Sequence, residues 1–240
     1  MAGRKRPLSA GSASASLPPQ RRGSAEADTL FAFFTAVSAV DAATNDGATP
    51  LFIASQEGRL EVVRELLSRG AALDAAMNDG YTPQHIASKM GHIEVVRELL
   101  ARGAAVNAAN NDGVTPLYIA SKRGHMEVVR ELLARGAAVD AASGSGVIPL
   151  LSASLNGHLE VVRELLARGA AVDAAANDGT TPLYAASWKG HLEVVRELLA
   201  RGALPGAAAF KSALSAATAK GRAAIAQLLR ATAGAAPRGF

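Results

Sequence analysis

The chain has 240 residues, 49 % apolar and 19 % charged, which excludes a disordered polyampholyte and a membrane-embedded chain and suits one or two domains. It has no cysteine, which excludes disulfides, thiolate metal sites and cysteine nucleophiles, and only 4 % aromatics, so Ala, Leu and Val must fill the core. The formal charge of +4 is unevenly divided: Arg4, Lys5, Arg6, Arg21 and Arg22 precede the first acid, Glu26, and the rest of the chain holds 20 basic against 21 acidic side chains.

Residues 1–28 are rich in Ser, Ala, Pro and Arg and read as a disordered basic tail. Arg4-Lys5-Arg6-Pro7 with Arg21-Arg22 resembles a two-part nuclear import signal, while the acid-free, Arg- and Ser-rich composition also suits an organelle transit peptide. Arg21-Arg22-Gly23-Ser24 reads as a basophilic kinase site, where phosphate on Ser24 would offset tail charge. The apolar run Leu30–Val40 has 11 residues, against about 20 needed to span a bilayer.

A fixed period then organises the body. EVVRELL begins at Glu61, Glu94, Glu127, Glu160 and Glu193, and Asn-Asp-Gly begins at Asn45, Asn78, Asn111 and Asn177 in the same phase, with Gly144-Ser145-Gly146 standing in once. Five units of 33 residues fill 45–209 without insertion. Each reads as turn, helix, turn, helix. Thr-Pro pairs (Thr49-Pro50, Thr82-Pro83, Thr115-Pro116, Thr181-Pro182) supply an N-cap and a proline for the first helical turn, and Gly58, Gly91, Gly124, Gly157 and Gly190 stop the first helix. In the second helix Val96, Leu99 and Leu100 form one buried stripe, and Glu98 precedes Arg102 by four residues, the order for a solvated ion pair. The fourth unit has Ile148 for Thr and loses its Asn-Asp-Gly, which predicts the weakest internal joint. Residues 29–44 align with the back half of a unit, residues 210–230 form a degenerate C-terminal cap, and residues 231–240 are expected to fray.

The unit Asn111–Ser143, NDGVTPLYIASKRGHMEVVRELLARGAAVDAAS, resembles an ankyrin repeat almost position by position. The resemblance covers 45–209 strongly and about 29–230 with the flanks. It implies an all-α solenoid of stacked helix-turn-helix units with projecting β-hairpin-like turns, each unit stable only against its neighbours. It also implies a concave face of turn tips and first helices where partner proteins bind. Asn107 falls in the slot where ankyrin repeats are hydroxylated, without the preceding acid.

Chemistry is poorly served by this pattern. His92, His125, His158 and His191 take one slot per unit and so cannot converge on one ion, and His85 is expected to serve its turn. Ser55, Ser88, Ser121, Ser154 and Ser187 likewise repeat, whereas a nucleophile needs a unique base and oxyanion site. No catalytic, cofactor or metal site is expected. The informative positions vary while the framework does not. They are the slot after the turn glycine, the slot before Asn-Asp, and the pair ending the first helix (Gln56-Glu57, Lys89-Met90, Lys122-Arg123, Leu155-Asn156, Trp188-Lys189). The resemblance implies that the partner-binding face bears Tyr81, Lys89, Met90, Lys122, Arg123, Leu155, Trp188 and Lys189, a mixture enriched in hot-spot types. The paired slots hold four bases and one acid, which favours partner segments with acidic and apolar residues.

The leading expectation is therefore a non-catalytic interaction module, monomeric, cytoplasmic or nuclear, that binds protein and not nucleic acid through its repeats. A chromatin-associated factor acting through the basic tail is one alternative. A client-recruiting adaptor of a ubiquitin ligase is another, weakened because no docking module is legible in the flanks.

Overall fold

The computed structural model describes residues 40–203 and 207–235. Among them are twelve helices and no strand, arranged as six helix pairs. They are α1 (Pro50–Gln56) with α2 (Leu60–Ser68), α3 (Pro83–Met90) with α4 (Ile93–Ala101), α5 (Pro116–Arg123) with α6 (Met126–Ala134), α7 (Pro149–Asn156) with α8 (Leu159–Ala167), α9 (Pro182–Lys189) with α10 (Leu192–Ala200), and the cap pair α11 (Ala207–Ala219) with α12 (Ala223–Ala235).

The boundaries follow the local chemistry. The hydroxyls of Thr49, Thr82, Thr115 and Thr181 each accept from the backbone N–H three residues on, and a proline follows each. Ile148 caps α7 without a side-chain hydrogen bond. Between pairs the chain forms a hairpin-like turn, in which Met77 N–H donates to the Tyr81 carbonyl at 2.9 Å and Asn110 N–H to the Val114 carbonyl at 3.0 Å. Adjacent turns are bonded to one another: Asn78, Asn111, Gly144 and Asn177 donate backbone N–H groups to the carbonyls of Asp46, Asp79, Asp112 and Ser145. The side-chain amides of Asn78, Asn111 and Asn177 add a second bond to the preceding turn, at 3.0–3.1 Å. Gly144 has no side-chain amide to offer, so the joint between the third and fourth units is one bond short.

One core runs the length of the stack. Leu99, Leu132, Leu165 and Leu198 are fully buried, each contributing about 1.5–3 kcal/mol of burial. The first helices meet through small residues (Ala54, Ala87, Ala120, Ala153, Ala186) and pack closely along the stack, while the Val- and Leu-rich second helices touch their neighbours more sparsely. The first helices thus form one side of the stack, the inner side, and the second helices the other, the outer side.

The four repeated histidines are rivets between units. Nε2–H of His92, His125, His158 and His191 donates to the carbonyls of Gln56, Lys89, Lys122 and Leu155, at 2.9–3.1 Å. Each imidazole lies over the glycine that ends the preceding first helix, so closely that a Cβ on Gly58, Gly91, Gly124 or Gly157 would come within 2.5–2.7 Å of the ring. At the C-terminal end Arg222 lies over Gly190 in the same way.

Three details lie beyond what the repeat pattern specifies. Residues 231–235, at the start of the segment expected to fray, are helical and continue α12. The cap helices are also longer than those of the repeats, α11 beginning at Ala207. Finally, the slots after the turn glycine and before Asn-Asp are not uniformly surface positions: Ala48, Asn110 and Ala176 are buried, because these residues pack beneath the turn tips. The basic tail, with Arg4, Lys5, Arg6, Arg21, Arg22 and Ser24, lies outside the described residues, as does most of the expected half-repeat 29–44. What is described of the latter fits a repeat. Val40 packs on the core, and Asp41 accepts from Ala72 N–H at 2.9 Å, as Asp74 does from Ala105 and Asp140 from Ala171.

Candidate partner-binding face

The two sides of the stack differ in their electrostatics. On the outer side the second helices carry a ladder of ion pairs. Arg64, Arg97, Arg130 and Arg163 reach glutamates of the next unit, Glu98, Glu131, Glu164 and Glu197, at 3.1–3.4 Å. Each of those glutamates is also held by an arginine four residues on, at 3.1 Å. Charge is neutralised locally there, and the carboxylates are only 15–18 % exposed.

The inner side is built differently. Two large apolar side chains are counted as exposed among the described residues, Met90 at 47 % and Trp188 at 36 %, and both sit in the variable pair that ends a first helix. Lys122, Arg123 and Lys189 are exposed in the same slots, and Lys89 is half-buried. Tyr81, at the turn tip before α3, packs with Ile53 and Met77 on a small cluster of Ala48, Phe52 and Ile86. Its ring lies 5.5 Å from that of His85, with Lys89 Nζ 5.9 Å from its centroid. Burial raises the Tyr81 phenol above its ordinary range. Leu155 is half-buried against the main core, so part of its apolar surface already has a partner.

Around Trp188 lysines cluster in place of ion pairs. Lys189 Nζ lies 4.6 Å and Lys220 Nζ 5.3 Å from the indole centroid. Tyr184, Trp188, Lys211 and Lys220 line an open cleft of about 520 Å³ between α9 and α11. Tyr184, Lys211 and Lys220 are absent from the sequence-based list. Lys220-Gly221 repeats the register of Lys189-Gly190, so carrying the pair slot into the cap would have found Lys220.

The residues considered for chemistry are placed in the framework. His85 is fully buried: its Nε2–H donates to the Val114 carbonyl at 2.9 Å, and Nδ1 accepts from Thr82 at the head of α3. The five repeated serines are buried in the first-helix layer, and none of their hydroxyls has a hydrogen-bond partner among the described residues. No group of three histidine or carboxylate side chains among the described residues could hold a metal ion, and no described helix is long and apolar enough to cross a membrane.

One family model, described as ankyrin repeats (three copies), matches residues 23–110, 73–143, 103–175 and 139–209 in overlapping registers. The chain belongs to the ankyrin-repeat family. A comparison with curated proteins gives no match. Ankyrin repeats are in general protein–protein interaction modules, and the family is in general non-catalytic. In this ankyrin stack the inner face carries the exposed Met90 and Trp188 beside Lys122, Arg123 and Lys189, while the exposed second-helix arginines of the outer face are paired with glutamate.

Proposed function

We propose that this ankyrin stack is a non-catalytic scaffold or masking module that holds a segment of a partner protein along its inner face. Tyr81, Lys89, Met90, Lys122, Arg123, Leu155, Trp188 and Lys189 line the path. The observation that carries this reading is the placement of Met90 and Trp188: the two large apolar residues exposed among the described residues both occupy the variable slot of an otherwise repeated framework. Exposed apolar groups gathered on one face, with cations beside them, are what a binding surface presents. The face is preformed by the stack, so little backbone rearrangement accompanies binding.

Affinity capture with mass spectrometry from the native cell tests this, comparing the wild type with a variant carrying Tyr81→Ala, Arg123→Ala and Trp188→Ala. The outer-face change Glu127→Ala serves as control, and circular dichroism verifies folding. Partners lost from the triple variant and kept by the control support the reading. A partner list that instead follows deletion of residues 1–28 moves function to the basic tail.

A further inference from the structure

We infer that the cleft between α9 and α11 is an anchor subsite for an acidic stretch of the partner protein, with an apolar side chain seated on Trp188. This rests on the inner-face reading and adds the chemistry and position of one contact. None of the eight side chains lining the cleft is acidic, and two are lysines, Lys211 and Lys220. Lys189 stands at its rim.

The cations of the second helices are engaged with glutamate. Among the described residues Lys189 and Lys220 have no carboxylate partner, and their ammonium groups rest against the indole of Trp188 instead. A cation held only by an exposed ring keeps most of its attraction for an incoming carboxylate, since such a contact is worth only about 0.5–1 kcal/mol at an exposed site. When a glutamate or aspartate draws the two ammonium groups outward, the indole face and the Tyr184 ring become an apolar floor. An aliphatic or aromatic side chain next to the acid fits there.

Charge distribution favours a peptide over nucleic acid. Single-strand binders track many phosphates along a continuous basic groove. Here the cations are confined to short clusters separated by the neutral pair Leu155-Asn156, and beyond Arg22 the chain has 20 basic against 21 acidic residues.

Trp188 is the only tryptophan of the chain, so its emission reports this cleft alone. The full chain is titrated with the octapeptide Glu-Glu-Leu-Glu-Glu-Phe-Glu-Glu, with its counterpart in which every Glu is Gln, and with an oligothymidylate. The expected result is a shift in Trp188 emission with the acidic peptide alone. The apparent affinity should weaken about tenfold in a variant carrying Lys189→Gln, Lys211→Gln and Lys220→Gln. Equal responses to the two peptides overturn the electrostatic assignment, and a response to the oligonucleotide alone assigns the cleft to nucleic acid. No response to either peptide overturns the subsite altogether. In that case the inner-face reading stands if Tyr81→Ala with Arg123→Ala still removes partners in the capture experiment, and it falls with the subsite if they do not.

Discussion

Replacing Gln84 with leucine should make the stack more stable by about 2–4 kcal/mol. Gln84 follows Pro83 in the first turn of α3 and is fully buried, and neither its Oε1 nor its Nε2 has a hydrogen-bond partner among the described residues. The other four repeats place leucine in this slot (Leu51, Leu117, Leu150, Leu183), each no more than 2 % exposed. The cavity is therefore shaped for an apolar side chain of similar volume. A buried polar group left unpaired costs about 1–3 kcal/mol, and the Gln amide has a donor and an acceptor in that state. Glutamine also loses about 1 kcal/mol more rotamer entropy than leucine on burial. Urea denaturation followed by circular dichroism measures the gain as a raised midpoint at unchanged slope. Because stacked repeats can unfold in sections, amide exchange in α3 and α4 should slow in parallel. The reverse change, Leu117→Gln, should cost a similar amount. Unchanged or reduced stability in Gln84→Leu would refute the reasoning and mean that the amide is satisfied in the folded chain.

Three further changes test the framework. Gly124 has φ of 79°, and a Cβ there would lie 2.6 Å from the His158 ring; Gly124→Ala should therefore cost at least about 2 kcal/mol, against roughly 1–2 kcal/mol for the left-handed backbone alone, read from the urea midpoint. Gly144→Asn should restore the missing inter-turn amide bond and stabilise by about 1 kcal/mol, once the 2.7 Å backbone bond to the Asp112 carbonyl relaxes toward the 3.0–3.1 Å of the other joints; amide exchange faster in the fourth unit than in the second and third is expected before the change and should be evened out by it. Burial holds the His85 imidazole below its ordinary pKa, and its Nδ1 is already occupied as an acceptor. A depressed histidine stabilises the fold above the unfolded value of about 6.5, and that contribution is lost as pH falls from there toward the folded value. The wild type should thus lose stability between pH 7.5 and 5.5 more steeply than His85→Asn, measured as the difference between their urea midpoints.

The sequence was informative where a physical constraint repeats. Helix starts are legible in Thr-Pro and helix ends in glycine, because capping and left-handed backbone are demanded by neighbours in the chain itself. What joins one unit to the next was less legible. The four histidines read as a slot at the start of the second helix, yet their work is done 36 residues away, on a carbonyl of the preceding unit. Spacing alone shows the period of such a bond and not its partner. The same holds for Arg64 with Glu98: the pairing of Glu98 with Arg102 was readable within one helix, whereas the pair across the joint needed the stack. On the candidate face, Trp188 and Lys189 were legible as departures from the repeat, while Lys211 lies in a cap whose register is altered and could not be placed beside Tyr184.

The division of cation types between the two sides follows from what each residue can hold. All ten arginines of the five second-helix segments lie within 3.5 Å of a glutamate. The planar fork of arginine suits this work, since Arg64 reaches Glu98 through Nε and Glu61 through Nη1 at once. A lysine is a hydrated point charge on a flexible stem, which can leave one contact for another at small cost. Lys89, Lys189 and Lys220 all rest against aromatic rings on the inner side. The outer charges thus serve the joints between units, and the inner ones are held loosely enough to be given up. Raising salt should then weaken partner binding steeply, because an incoming charged segment is drawn from beyond the roughly 8–10 Å screening distance. The arginine–glutamate ladder, already in contact, should respond far less. A urea midpoint that fell with salt as steeply as partner affinity would break this division.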